Sequence, residues 1–396
     1  MNDVVVLLVI YGTLFILSPL IVMLHELGHA LAYLTLTKPS KIDIYIGSYG
    51  DATNNIVFKT GKLNFIIKRS FPFVKGIGLC ASDKPETDYR KYIVILLAGA
   101  VFTFVSAGIV ALIAFGTSAN FLVQVACYIF LGLSFVSLLS NLIPRDIRYA
   151  KKNELNSDGS KLLLTLQIKN KLPDYVEAFE QIDKKNYAAA TASLKSVMEA
   201  SPKNRRLLAQ FIPAALEARM FKEAELSISM LESIPPVTTD TLFYRGCLYS
   251  MTGQHDQAIE TYSTIINKKD KNHILALTNI GYELVEKGAH QVAKRALDRA
   301  IKLNPTFPQP YANLAYSKII QGELKEGKKL IDTCLELNEY IADAYKALGV
   351  YHLKLKDKVS AAANFEKAAA LDDTIDLTIH LEELALLGEQ SSTAVF

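Results

Sequence analysis

Long apolar runs and short alternating stretches divide the first 143 residues. Residues 4–36, 92–115 and 120–143 are almost unbroken hydrophobic sequence. About 20 apolar residues in a helix suffice to cross a bilayer, so each run predicts a membrane-spanning helix. Pro19 lies inside the first run and predicts a kink a little before His25. Residues 38–91 follow another pattern. Ile42-Asp43-Ile44-Tyr45-Ile46 alternates apolar and polar positions. Ile56-Val57-Phe58 and Leu63-Asn64-Phe65-Ile66-Ile67, joined through Lys59-Thr60-Gly61-Lys62, predict a β-hairpin. Phe71-Pro72-Phe73-Val74 with Ile77-Gly78-Leu79 predicts a further short strand. The segment as a whole is expected to be a small β-rich loop at the membrane surface.

Beyond residue 170 the pattern becomes helical and periodic. Gly281, Ala315 and Gly349 stand 34 residues apart, as do Ala293, Gly327 and Ala361. Ala258 precedes Ala293 by 35, which places a one-residue insertion in the Lys-rich turn at 268–271. Small residues at such positions let the two helices of a hairpin touch. This is the spacing of tetratricopeptide repeats. It predicts six units, near 171–204, 205–238, 239–272, 274–307, 308–341 and 342–375, with a capping helix after them. The expected fold is therefore mainly α: three transmembrane helices with a β-rich loop, followed by an α-solenoid. The expected domains are 1–165 and 171–390.

Composition adds orientation and compartment. Half of the 396 residues are hydrophobic, and the net charge of +3 argues against nucleic acid as a partner. Basic residues crowd the 38–91 loop and the stretch after the third run, while the N-terminal tail and residues 116–119 carry none. The positive-inside rule then places the loop and everything after residue 143 in the cytoplasm. The expected location is a multi-pass protein of a bacterial inner (plasma) membrane. The N-terminal run has no basic flank and continues to about Leu36, so it is expected to be retained rather than cleaved. Cys80, Cys127, Cys247 and Cys334 lack ligand spacing and are expected to be free thiols.

The first run contains His25-Glu26-Leu27-Gly28-His29. On a helix the two histidines share one face and can grip one zinc ion, with Glu26 beside it as a base. Ionisable groups in hydrocarbon are costly, so they are functional candidates by default. A catalytic zinc needs a third protein ligand. The candidates lie after the third run, where Asn141-Leu142-Ile143-Pro144 precedes Asp146 and Ser157-Asp158-Gly159.

With these motifs residues 1–165 resemble the site-2 protease family of intramembrane zinc metalloproteases. The resemblance implies one catalytic zinc on His25, His29 and Asp158. It further implies Glu26 as the general base and Asn141 as the holder of the substrate backbone or oxyanion. The family usually has its Asp-Gly closer behind the Asn-x-x-Pro, so Asp146 stays open as the third ligand. The implied activity is a zinc metalloendopeptidase that cuts membrane-protein substrates in or near their spans. The 38–91 loop would offer an edge for the unwound segment, and the repeats would hold a peptide or protein partner. The alternative is a membrane-anchored tetratricopeptide scaffold without proteolytic activity.

Overall fold

Three apolar helices make the framework of the N-terminal part of the computed structural model: α1 (Asp3–Leu36), α2 (Tyr89–Gly116) and α3 (Phe121–Leu142). The structure describes residues 3–48, 53–70, 78–117, 119–144, 146–147 and 155–392. All three helices are long and apolar enough to cross a membrane, by length and composition. α1 stays helical through Pro19. Glycine sets how closely α1 and α2 approach. A Cβ on Gly28 would meet the Ala98 carbonyl oxygen at 2.6 Å and the Gly99 Cα at 2.9 Å. The caps are polar: Asp88 accepts from the Arg90 amide, and Asn120 from the Val123 amide. Outward-facing residues such as Ile16, Leu112 and Phe121 are apolar and exposed.

Between α1 and α2 lies a four-stranded sheet of β1 (Ile42–Ile46), β2 (Asn55–Thr60), β3 (Leu63–Lys68) and β4 (Gly78–Ser82). Its order is β2-β3-β1-β4. The expected hairpin is β2–β3, and Gly61 at φ +57° takes the left-handed position of its turn. β1 pairs parallel with β3 and antiparallel with β4, with Ile44 opposite both Phe65 and Cys80. Strand periodicity fixes which side chains face inward, not which strands are neighbours, so this order was not legible beforehand. Ile42, Ile44 and Ile46 are buried against the α1 face that carries Ala30 and Tyr33. Phe71 to Ile77, part of the expected further strand, lie outside the described residues.

After α3, two short strands, β5 (Asp146–Ile147) and β6 (Leu155–Asn156), pair antiparallel. They return the chain to the foot of α3, where α4 (Asp158–Ile168) begins. Ser157 caps α4 and donates its hydroxyl to the Ile143 carbonyl at 3.0 Å. A Cβ on Gly159 would stand 2.3 Å from the Leu142 carbonyl oxygen, so only glycine lets α4 start there. Ser157 thus stands beside the end of α3, close in space to Ile143. The first helical hairpin, α5 (Leu172–Asp183) and α6 (Tyr187–Ala200), completes a compact unit of residues Met1–Pro202.

A second compact unit, Lys203–Phe396, consists of further hairpins. They are α7 (Arg205–Glu217) with α8 (Phe221–Glu232), α9 (Thr239–Met251) with α10 (His255–Thr264), and α11 (Ile274–Glu286) with α12 (His290–Leu303). α13 (Gln309–Ile320) with α14 (Leu324–Leu337), and α15 (Ala342–Lys354) with α16 (Lys358–Leu371), follow before α17 (Thr378–Ser392). In several hairpins a small residue on the first helix receives a large one 16 positions later. A Cβ on Gly246, Gly281 or Gly349 would clash with Tyr262, Leu297 or Phe365 respectively. The extra residue expected near 268–271 is absorbed as a π turn over Ile265–Lys269, closed by the Asp270 amide on the Ile265 carbonyl at 2.8 Å.

Candidate metal centre and the repeat surface

His25 and His29 sit one turn apart on α1, with rings edge to face and centroids 4.7 Å apart. Their Nε2 atoms are 3.1 Å from each other. Asp158, from the first turn of α4, brings its Oδ2 to 3.0 Å from His25 Nε2 and 3.2 Å from His29 Nε2. Among the described residues these three are the group of His, Cys, Asp or Glu that could hold a metal ion. The Asp146 side chain lies outside the described residues.

Chemistry then constrains what sits between them. His29 Nδ1 lies 2.7 Å from the Ile95 carbonyl oxygen, which can only accept, so Nδ1 carries the proton. In the neutral ring the Nε2 lone pair then faces inward. Carboxylate and imidazole lone pairs cannot crowd to 3.0–3.2 Å without a proton or cation among them. Tetrahedral zinc with bonds of about 2.0 Å spaces its donors by roughly 3.3 Å. The triangle, its imidazole–carboxylate donor set and the Ile95 carbonyl behind His29 fit such an ion. Lys161 adds a contact at 3.5 Å from Asp158 Oδ1.

Glycines make room for this cluster. A Cβ on Gly99 would stand 2.5 Å from His29 Nε2, and one on Gly78 would stand 2.5 Å from Glu26 Oε1. Glu26 is buried and lies against β4. Asn141 is positioned otherwise. Its amide donates to the Ser137 carbonyl at 2.9 Å and contacts the Ser137 hydroxyl at 3.2 Å, back on its own helix. Its NH2 group is therefore occupied within α3.

Sequence reasoning missed a second site on the repeats. Tyr282, Glu286, Asn313, Tyr316, Asp343 and Lys346 line a small hollow between α11, α13 and α15. The available signal was the 34-residue step from Tyr282 to Tyr316, which puts two tyrosines at equivalent positions of adjacent hairpins.

Comparison with known proteins bears on the repeats. The family model described as "Tetratricopeptide repeat" matches residues 274–307, the hairpin α11–α12. That hairpin is a tetratricopeptide repeat by this match. A "Cell division cycle protein 27 homolog" of Caenorhabditis elegans is 26% identical over 121 residues, covering 31% of this chain and 15% of its own. The UDP-N-acetylglucosamine–peptide N-acetylglucosaminyltransferase of Giardia intestinalis is 24% identical over 203 residues, covering 46% of this chain and 13% of its own. This chain thus spans a small part of the length of either relative. A crystallised tetratricopeptide repeat protein from Parabacteroides merdae is 18% identical with a TM-score of 0.40, covering 55% of this chain and 98% of its own.

These likenesses correct one expectation. The family model that matches is the tetratricopeptide repeat, and neither curated relative is a zinc metalloprotease, so the zinc metalloendopeptidase reading is withdrawn. The expected membrane-protein substrate falls with it. What stands is a series of helical hairpins, one of which, over residues 274–307, matches the tetratricopeptide repeat model.

Proposed function

We propose that this chain is a membrane-anchored tetratricopeptide scaffold. In this reading α1, α2 and α3 lie in a bilayer, and the repeats take a peptide or protein partner on the cytoplasmic side. A zinc ion on His25, His29 and Asp158 ties α1 to α4, the segment that leads into the repeats. The observation that carries the reading is the run of tetratricopeptide hairpins continuing from three helices long and apolar enough to cross a membrane. Exposed apolar side chains on those helices support the bilayer placement, because a surface of that kind needs covering. The basic residues of the loop and of the stretch after α3 support the cytoplasmic side. The convergent donor triangle supports the zinc.

The test is fractionation and metal analysis of the full chain. After an alkaline carbonate wash the protein is expected to stay with the membranes. Purified in detergent, it is expected to hold one zinc per chain. His25→Ala and Asp158→Ala should each lose the ion, whereas Glu26→Gln should keep it. Release by carbonate, or zinc unaffected by either ligand variant, overturns the respective part. Cross-linking in intact membranes should trap a partner on residues of the repeats, and cross-links confined to the first 165 residues would overturn the scaffold role.

A further inference from the structure

The contacts of the donor triangle fix the depth at which α4 begins. His29 Nδ1 meets the carbonyl of Ile95, and Asp158 meets His29. Ile95 follows Tyr89, the first residue of α2, by six positions, or about 9 Å of helix. Gly159 abuts the Leu142 carbonyl at the end of α3. The end of α3 and the start of α4 therefore stand roughly 9 Å inside the level at which α2 begins. From there α4 runs outward. Lys161, three residues after Asp158, interacts electrostatically with Tyr92, three residues before Ile95. α4 thus packs on α2, antiparallel to it, and carries the chain toward the level of Arg90 and Lys91, both exposed.

The side chains of α4 divide into two faces. Gly159, Leu164, Thr165 and Ile168 are buried. Leu163 and Leu166, one turn apart, point away from the bundle and are 46% and 44% exposed. At the rise of a helix, Leu163 stands about 7 Å and Leu166 about 12 Å beyond Asp158, on either side of the level of Tyr89. Leu139 and Ile143, at the end of α3, are exposed as well, so apolar surface continues from α3 onto α4. Lys169, also exposed, follows where α4 ends. With 11 residues α4 is about 16 Å long, too short to cross a bilayer but long enough to pass through its boundary.

We propose that the outer face of α4 is seated in the lipid at the cytoplasmic boundary of the bilayer. Leu163 and Leu166 lie among the acyl chains nearest the head groups, and Lys169 reaches lipid phosphates beside Arg90 and Lys91. The inference rests on the membrane placement proposed above and adds a fourth element to it. Scattered exposed leucines need no covering. This pair differs, because its depth is set by the donors and its surface continues the outer side of α3. At that depth the surroundings of the three long helices are acyl chains and head groups, and exposed basic residues at the rim match anionic lipid.

The chain has no tryptophan, so single tryptophans report on it directly. The full chain is placed in lipid nanodiscs, where both faces are open to solutes. Two variants, Leu163→Trp and Leu166→Trp, are measured beside two references at exposed positions. Ile109→Trp on α2 reports lipid, and Val359→Trp on α16 reports water. Phosphatidylcholine brominated high on its acyl chains is the lipid quencher, and iodide is the aqueous one. Both α4 variants are expected to lose at least about half as much emission to the brominated lipid as Ile109→Trp does, and to resist iodide better than Val359→Trp. Emission and iodide quenching equal to those of Val359→Trp would overturn the proposal while Ile109→Trp still reports lipid. Shielding from both quenchers would also overturn it, since protein rather than lipid would then cover α4. Loss of lipid quenching at Ile109→Trp would instead remove the membrane placement itself, and the seat of α4 with it.

Discussion

Single residues decide whether the donor triangle exists. Gly159 permits α4 to begin against the Leu142 carbonyl, and Asp158 precedes it. Gly159→Ala should cost about 1–3 kcal/mol through overpacking and should pull Asp158 away from the histidines. Thermal melting and zinc content of the purified variant check both effects. The motif on α1 was legible because two histidines four apart share a helix face wherever the helix lies. Asp158 was legible only as one of two candidates. Its selection depends on the β5–β6 ladder and on contact with the end of α3, which are long-range features.

His273 is a second residue whose local role sets a measurable property. Its Nδ1 accepts from the Ala276 amide at 3.1 Å and caps α11, which requires the neutral ring. Burial pushes its pKa down, against the pull of Asp270 and Asp240. The unfolded chain therefore takes the proton first, at about pH 6.5. The stability it contributes is present above that value and is lost as pH falls through the lower folded value. Urea unfolding should give a falling midpoint from pH 7.5 to pH 5, and His273→Asn, which keeps a cap, should flatten the slope.

At the scale of elements, the repeats recur in backbone conformation as well as in packing. Six turns each hold one residue in the left-handed region: Lys185, Arg219, Gly253, Gly288, Gly322 and Lys356. Glycine takes that conformation without cost and the others do not. Lys356 stands at φ +61°, so Lys356→Gly should raise stability by about 0.5–1 kcal/mol, read as a higher urea midpoint. The 34-residue step was legible because each hairpin needs its small residue opposite its large one. The extra residue before α11 was legible as a number but not as a shape. A turn could have absorbed it, yet the π turn at Ile265–Lys269 does so while keeping Ile265 buried.

On the scale of the whole molecule, the two compact units should respond differently to metal removal. The donors all lie within Met1–Pro202. A chelator should raise hydrogen exchange in α1 and α4 and leave α11 to α16 unchanged, because a bound ion stabilises only the state that holds it. Uniform protection with and without chelator would show that the donors stand without a cation.

The sequence by itself determined the local periods of this protein: apolar lengths that suit helices able to cross a bilayer, alternation that makes strands, and a step of 34 that makes hairpins. It also determined that two histidines share a face, because helix geometry is local. Only the tertiary structure decided that β1 runs parallel to β3 and that Asp158 returns to the histidines. The same holds for Asn141, which bonds back to Ser137, and for the two tyrosines and two carboxylates that share one hollow. Those outcomes depend on which elements become neighbours. That choice is made by close packing at residues such as Gly28, Gly99 and Gly159, where an absent side chain is the only local trace of a distant partner.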